Sequence, residues 1–270
     1  IDGDMDKLEE TRANIQLGYQ YSEKLKLSGE LEYLKNREYT YLENDDEEAL
    51  MLGARAEYEF QPEKKVYTEV QTAVLDDGYG ANNIFTVGTD LRIGEKLQLN
   101  AEGSAGNRGQ GVQVLGGYDL DPTHNIYVGY ALENDTSAFG DGNENIFTVG
   151  QKYRYDKDTK LYHENQFMRD SKGNGILQTY GIDREYSKDL QVGLLIQSGE
   201  IDTESGKLKR KSTSAYSRYY GKDFMIRNKL EYGRDKGAGI SGNTWATINR
   251  AKKILNTEYT LFGELNYVYR

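Results

Sequence analysis

The 270-residue chain contains no cysteine, two prolines and two histidines. Without cysteine there is no disulfide framework and no thiolate chemistry. So few prolines suit a structure in which nearly every backbone N–H must donate to a neighbouring strand. No run of apolar residues approaches the roughly 18–20 that a membrane-spanning helix requires. Clustered Lys and Arg are also lacking: net charge is −10 and the pI near 4.9, which argues against a nucleic-acid surface. Metal-ligand spacing is missing as well. The acidic stretches Asp45–Glu48 and Asp135, Asp141, Glu144 do not follow the fixed pattern of a calcium loop and read as solvated loops.

What is present is a short repeating pattern. A run of alternating apolar and polar residues ends in a small charged turn, and a second alternating run leaves it. Tyr21-Ser22-Glu23-Lys24-Leu25 is the first copy. Further copies centre on Pro62-Glu63, Gly94-Glu95, Pro122-Thr123, Asp156-Lys157-Asp158, Ser187-Lys188-Asp189, Gly221-Lys222-Asp223 and Lys252-Lys253. Eight turns, roughly 28–40 residues apart, imply eight hairpins and about sixteen strands. Hairpins alone leave exposed edges, and closure removes them. The expected fold is therefore all-β: a closed antiparallel up-and-down transmembrane β-barrel of about sixteen strands over residues 11–270, preceded by a flexible segment 1–10. A mean hydropathy of −0.81 suits a barrel, in which only alternate residues meet lipid. A soluble β-sandwich is the competing architecture.

Alternation assigns faces. Leu25, Leu27, Gly29, Leu31 and Tyr33 fall on one side of a strand, and Lys24, Lys26, Ser28, Glu30 and Glu32 on the other. Extended over the chain, the pattern places Lys26, Glu30, Glu32, Arg55, Glu57, Asp90, Arg92, Glu102, Lys152, Arg154, Arg227 and Lys229 toward the lumen. Tyrosines near strand ends (Tyr19, Tyr21, Tyr33, Tyr58, Tyr118, Tyr153, Tyr155, Tyr267, Tyr269) read as aromatic girdles. Two identical hexapeptides, Asn83–Gly88 and Asn145–Gly150, suggest growth by hairpin duplication. Polar residues interrupt the apolar phase near His163, Asn165 and Asn228. That interruption fits either a subunit contact, a position near the membrane interface, or a shifted register. Longer connections are expected at about 34–48, 76–82, 104–111, 133–145, 169–175, 198–212 and 233–243.

The unit from Tyr21 to Tyr33, Tyr-Ser-Glu-Lys-Leu-Lys-Leu-Ser-Gly-Glu-Leu-Glu-Tyr, resembles hairpins of Gram-negative outer-membrane barrels, both porins and the barrel domains of larger surface proteins. The resemblance is to a class and carries over no catalytic or binding residue. It implies a bacterial outer-membrane location, contact with the bilayer and with lipopolysaccharide, and a pore passing ions or small polar solutes. A second reading is a membrane-anchored scaffold whose lumen is plugged or filled by a partner, as a homo-oligomer or beside another outer-membrane subunit. The final strand ends in Arg270 rather than an aromatic, which fits a piece of a larger protein. No enzyme is expected: His163 and Glu164 fall on opposite faces of one strand, so no hydrolase constellation forms. No cofactor or metal is expected.

Overall fold

The computed structural model describes residues 7–39, 44–80, 83–107, 109–135, 142–169, 173–203 and 206–270. Sixteen antiparallel strands run in chain order: β1 (Lys7–Gln20), β2 (Leu25–Tyr39), β3 (Asn44–Gln61), β4 (Lys64–Asp77), β5 (Ile84–Ile93), β6 (Leu97–Gly106), β7 (Gly109–Asp121), β8 (His124–Asp135), β9 (Gly142–Arg154), β10 (Thr159–Arg169), β11 (Asn174–Glu185), β12 (Leu190–Thr203), β13 (Gly206–Tyr220), β14 (Phe224–Gly237), β15 (Ile240–Ile254) and β16 (Tyr259–Tyr269). Each pairs with its neighbours in sequence, and β1 pairs with β16 from Glu9↔Tyr269 to Tyr19↔Tyr259. The barrel is closed. The first strand begins at Lys7, so Lys7–Glu10, expected in a flexible segment, belong to the ladder and face β2.

Seven of the eight expected turns join consecutive strands, whereas Lys252 and Lys253, read as the eighth, lie in β15 and the chain bends after them at 255–258. Four of the eight turns are closed in one way. At Ser22, Asp156, Ser187 and Asn256 the side-chain oxygen accepts N–H groups from the two residues at the far side of the turn. The short Ser, Asp and Asn side chains reach the backbone that the turn leaves unpaired. The bonds from the Asp158 and Thr159 N–H groups hold the Asp156 carboxyl below its usual range. In a fourth-residue variation, Pro62 presets the bend before Glu63, whose φ is +60°.

The other end departs from expectation. The strands continue through most of the segments read as loops: β12 to Thr203 and β13 from Gly206, β14 to Gly237 and β15 from Ile240. Ala238 and Gly239 make the last of these bends with φ of +52° and +79°, the pair of left-handed residues that a two-residue hairpin needs. These strand ends were illegible because beyond the lipid both faces are polar. They are held instead by charge pairs, such as Arg37 and Lys35 with Asp46 (2.8 and 3.2 Å) and Arg210 with Asp235 (2.8 Å). The expected loop acids Asp45, Asp135 and Glu144 lie in strands at this end, and Asp141 lies outside the described residues.

The two faces of the sheet differ as water and lipid do. Outward-phase residues such as Ile15, Leu31, Leu52, Val87, Val128, Leu194 and Leu230 are exposed apolar side chains. Aromatic residues mark both margins of this belt: Tyr19, Tyr58, Tyr118 and Tyr153 near the eight turns, and Tyr33, Tyr232, Trp245 and Tyr267 toward the other end. The buried apolar core is correspondingly small, Ala49 and Met51 with Leu34, Ala73 and Tyr79 against them, inside the β2–β4 wall. Stability therefore rests on the ladder and on transfer of the outer belt into lipid. Leu194→Arg, at mid-belt on β12, is expected to reduce folding stability in bilayers by about 2–4 kcal/mol, read from the urea midpoint of the heat-modifiable band; an unchanged midpoint would show that this face does not meet lipid.

Candidate functional site

A cavity of about 1110 Å³ opens inside the barrel, lined from β5 to β13 by Asp90, Arg92, Gln98, Asn100, Gln113, Asn125 and Tyr127 and, further round the same wall, by Lys152, Tyr162, Glu164, Asp183, Gln191 and Arg218. Residues directly opposed in an antiparallel ladder share a face. Register therefore carries the cavity face around the barrel. Asp90 opposes Lys65, Lys65 opposes Glu59, and Glu57, in the same phase, opposes Lys26. Arg154 opposes the lining residue Lys160, Arg227 opposes Arg218, and Lys229 opposes Tyr216.

The polar side chains selected from sequence are tied into this wall as follows. Glu30 accepts from Asn14 Nδ2 at 2.9 Å. Glu32, 2% exposed, takes Arg12 and Gln71 Nε2 (2.8 Å). Arg55 reaches Glu69 at 3.2 Å and Glu57 at 3.6 Å, and Lys65 reaches Glu57 at 2.9 Å. Asp90 accepts from Asn100, and Arg92 Nη2 donates to the Glu95 carbonyl at 2.8 Å. Lys229 contacts Glu231 at 2.6 Å, and Lys152 lies 5.3 Å from the Tyr127 ring centre.

A second group was missed, and it organises the wall. Tyr67, Tyr127, Tyr162 and Tyr216 lie flat across the directly opposed glycines Gly88, Gly150, Gly181 and Gly193. A Cβ on those glycines would stand 2.2, 2.1, 1.9 and 2.3 Å from the tyrosine Cζ atoms, so no other residue fits under the ring. In two copies the next strand supplies a carboxylate that accepts the phenol: Tyr67, Gly88 and Glu102 on β4–β6, and Tyr127, Gly150 and Glu164 on β8–β10. Both glycines close the repeated hexapeptide, so the duplication visible in the sequence carries a cross-strand unit. Tyr216, Gly193 and Asp183 form the same order of residues in the opposite strand direction. The signal that could have found them is a tyrosine in the polar phase facing a glycine in the polar phase of the next strand.

Charge on the wall is unevenly distributed. Arg218, Arg227 and Arg250 oppose one another across β13, β14 and β15. Like charges directly opposed are unfavourable unless water or counter-ions screen them. Arg250 is bound by Glu264, and Arg218 donates to Gln191 and Tyr220. Arg227 has the Tyr216 ring 5.5 Å away and feels the Asp183 carboxylate, but makes no ion pair at contact distance among the described residues. The inner-face carboxylates Glu30, Glu32, Glu57, Glu69, Asp90 and Glu102 of β2–β6, by contrast, are each bound by a neighbouring donor.

On the outer surface, Gln151, His163, Asn165 and Gln178 form a polar strip across β9–β11. The register is regular here, so the interruption noted in the sequence is a real feature of the outer face. Gln178 donates to Asn165 at 3.1 Å, and His163 stacks on Tyr180 with its Nε2 enclosed and unbonded. His163 thus faces away from Glu164. Asn228 and Asn249 oppose each other on the outer face of β14–β15.

No family model matches the chain, and no curated protein does. Many solved structures do. OccAB2 of Acinetobacter baumannii aligns over 99% of this chain and 98% of its own, with a TM-score of 0.56 and 7% identity. OprD of Pseudomonas aeruginosa aligns over 99% and 96%, at 0.56 and 9%. A bacterial polysaccharide outer membrane secretin aligns over 97% and 98%, at 0.57 and 7%. At such identities the likeness concerns the fold, which is that of Gram-negative outer-membrane porin-like barrels.

The tyrosine seats give a direct test. Gly150→Ala places a methyl where the Tyr127 ring lies, and is expected to cost about 1–3 kcal/mol and to free Glu164 from the phenol. Tyr127→Phe on the same background should leave that loss unchanged, since the ring and not the hydroxyl makes the clash. Urea unfolding of both variants checks this, and a neutral Gly150→Ala would remove the seat from the account.

Proposed function

We propose that this chain is an outer-membrane pore for ions and small polar solutes. The observation that carries the reading is a continuous charged and amide-rich inner wall around a 1110 Å³ cavity, set behind a belt of exposed apolar side chains. A sixteen-strand barrel is wide enough for an aqueous interior, and water lets its Arg, Lys, Asp and Glu side chains stay ionised without a burial penalty. The apolar belt needs lipid, and the fold shared with outer-membrane porins supports the outer membrane as the place that supplies it. Wall residues set selectivity through the local field. Lys26, Glu30, Glu32, Arg55, Glu57, Asp90, Arg92, Glu102, Lys152, Arg154 and Lys229 are mostly neutralised by neighbours. Arg227, with Arg218 and Arg250 beside it, leaves a cationic stretch that draws anions along β13–β15. No catalytic role is assigned to any residue.

The outer polar strip favours a second reading. The Gln178–Asn165 pair sits poorly against hydrocarbon, and a second barrel subunit packed on β9–β11 would offer it polar partners. This reading is compatible with the pore and also with a scaffold whose lumen a partner fills.

Single-channel recording from the detergent-purified, heat-modifiable chain in a planar bilayer tests the pore directly. Stable conductance steps are expected. Silence from correctly folded protein would overturn the pore and leave the scaffold. In a salt gradient, Arg227→Glu should move the reversal potential toward cation preference while folding stays intact; an unmoved potential would remove the arginine row from selectivity.

A further inference from the structure

We propose that the outer face of β13 and β14, just beyond the aromatic margin of the belt, binds the phosphate groups of an anionic lipid. Four cations gather there. Lys209 and Lys211 on β13 oppose Lys236 and Arg234 on β14, each pair directly across the ladder. They share the outward phase with Thr213, Tyr219, Tyr232 and Leu230, whereas the intervening Leu208, Ser212 and Ser214 are buried on the inner side. All four are exposed.

Two further observations point to a ligand. At the same end of the barrel, outward cations are elsewhere matched: Lys35 and Arg37 with Asp46, and Lys207 with Glu200. Lys211, Arg234 and Lys236 have no carboxylate partner among the described residues, and Lys209, directly opposite Glu200, shares that one acid with Lys207, in a chain of net charge −10. Opposed like charges weaken a strand pair, so this arrangement favours an anion that bridges both strands. Depth identifies the source of that anion. The outward phase of β14 runs from Phe224 through Ile226 and Leu230 to Tyr232, and a tilted strand needs about 9–11 residues to cross the hydrocarbon. Arg234 and Lys236 therefore stand at headgroup level. Directly beneath them Tyr232 and Trp245 pack with ring centres 4.6 Å apart, the aromatic platform of an interface, and the Tyr232 hydroxyl donates to Asn243 at 2.9 Å. A planar guanidinium grips a phosphate in two bonds while flanking ammonium groups add point charge. The fitting ligand is a lipid bearing phosphate at the bilayer surface, with two phosphates on one headgroup suited to two opposed cation pairs. The inference rests on the barrel being embedded in a membrane and is independent of whether it conducts.

Trp245 is the single tryptophan of the chain and adjoins the site, so it serves as the reporter. The full folded chain is placed in phosphatidylcholine nanodiscs containing dansyl-labelled bis-phosphorylated lipid A or its dephosphorylated form. Energy transfer from Trp245 should show enrichment of the phosphorylated lipid alone. Lys211→Gln with Arg234→Gln should lower that enrichment about tenfold or more, and Lys222→Gln at the opposite rim should not. Lys209→Gln with Lys236→Gln reads the same site if the first pair fails to give a heat-modifiable barrel. Equal transfer from dephosphorylated lipid, or unaltered enrichment in both double variants, overturns the proposal. Displacement by inorganic phosphate as effective as by unlabelled lipid A overturns the lipid assignment in favour of a free-anion site. Conductance of the same discs is recorded separately, so a silent barrel that still enriches the lipid refutes only the pore.

Discussion

The pairing of β1 with β16 is the constraint on which everything else rests. Until that seam forms, two strands carry unpaired N–H and C=O groups, which hydrocarbon cannot tolerate. The seam runs over eleven residue pairs, from Glu9↔Tyr269 to Tyr19↔Tyr259, and is extended by backbone bonds from Leu8 to Arg270 and from Gln20 to Glu258. At the turn end the Tyr19 and Tyr259 rings meet across it at 5.0 Å. Closure also separates inside from outside. Alternating side chains acquire different solvents only once the sheet is a ring, and a slip of one residue at any pair would exchange them.

Inside that ring, the wall is built from repeated local solutions rather than a packed core. A tyrosine over a glycine fills the groove between two strands and locks their register, and a carboxylate on the third strand takes the hydroxyl. The β4–β6 and β8–β10 copies share this order, with the repeated hexapeptide supplying both glycines. Such units stiffen the wall while keeping the ring against it, so lumen space is preserved. The arginine row of β13–β15 is the opposite kind of feature: it costs stability in the sheet and is tolerable where water enters.

Outside, the belt is not uniform. Small and polar residues interrupt it on β9–β11 and β13–β15, and cations crown it above Tyr232 and Trp245. Both are features that an isolated barrel in bulk hydrocarbon would not need, and both lie on the half of the barrel carrying the arginine row. The molecule is thus polarised around its circumference as well as along its axis.

Strand number, seven of the eight turns and the alternation that sets residues such as Leu27 and Glu30 on opposite faces were readable in the sequence; the eighth turn was placed a few residues early, at Lys252-Lys253 inside β15. Each depends on period-two alternation and on turn residues acting over a few positions. Hairpin topology then leaves one closing pair, so closure was readable too. The strand extensions beyond Leu34 and Ser198 were not, because outside the lipid neither face is apolar and alternation vanishes. Nor were the tyrosine seats: Tyr67 and Gly88, or Tyr216 and Gly193, are distant in sequence and meet through register alone. Arg218, Arg227 and Arg250 read individually as scattered polar-phase residues. Only the tertiary structure aligns them into one row, because the stagger of three strands decides which charges face each other.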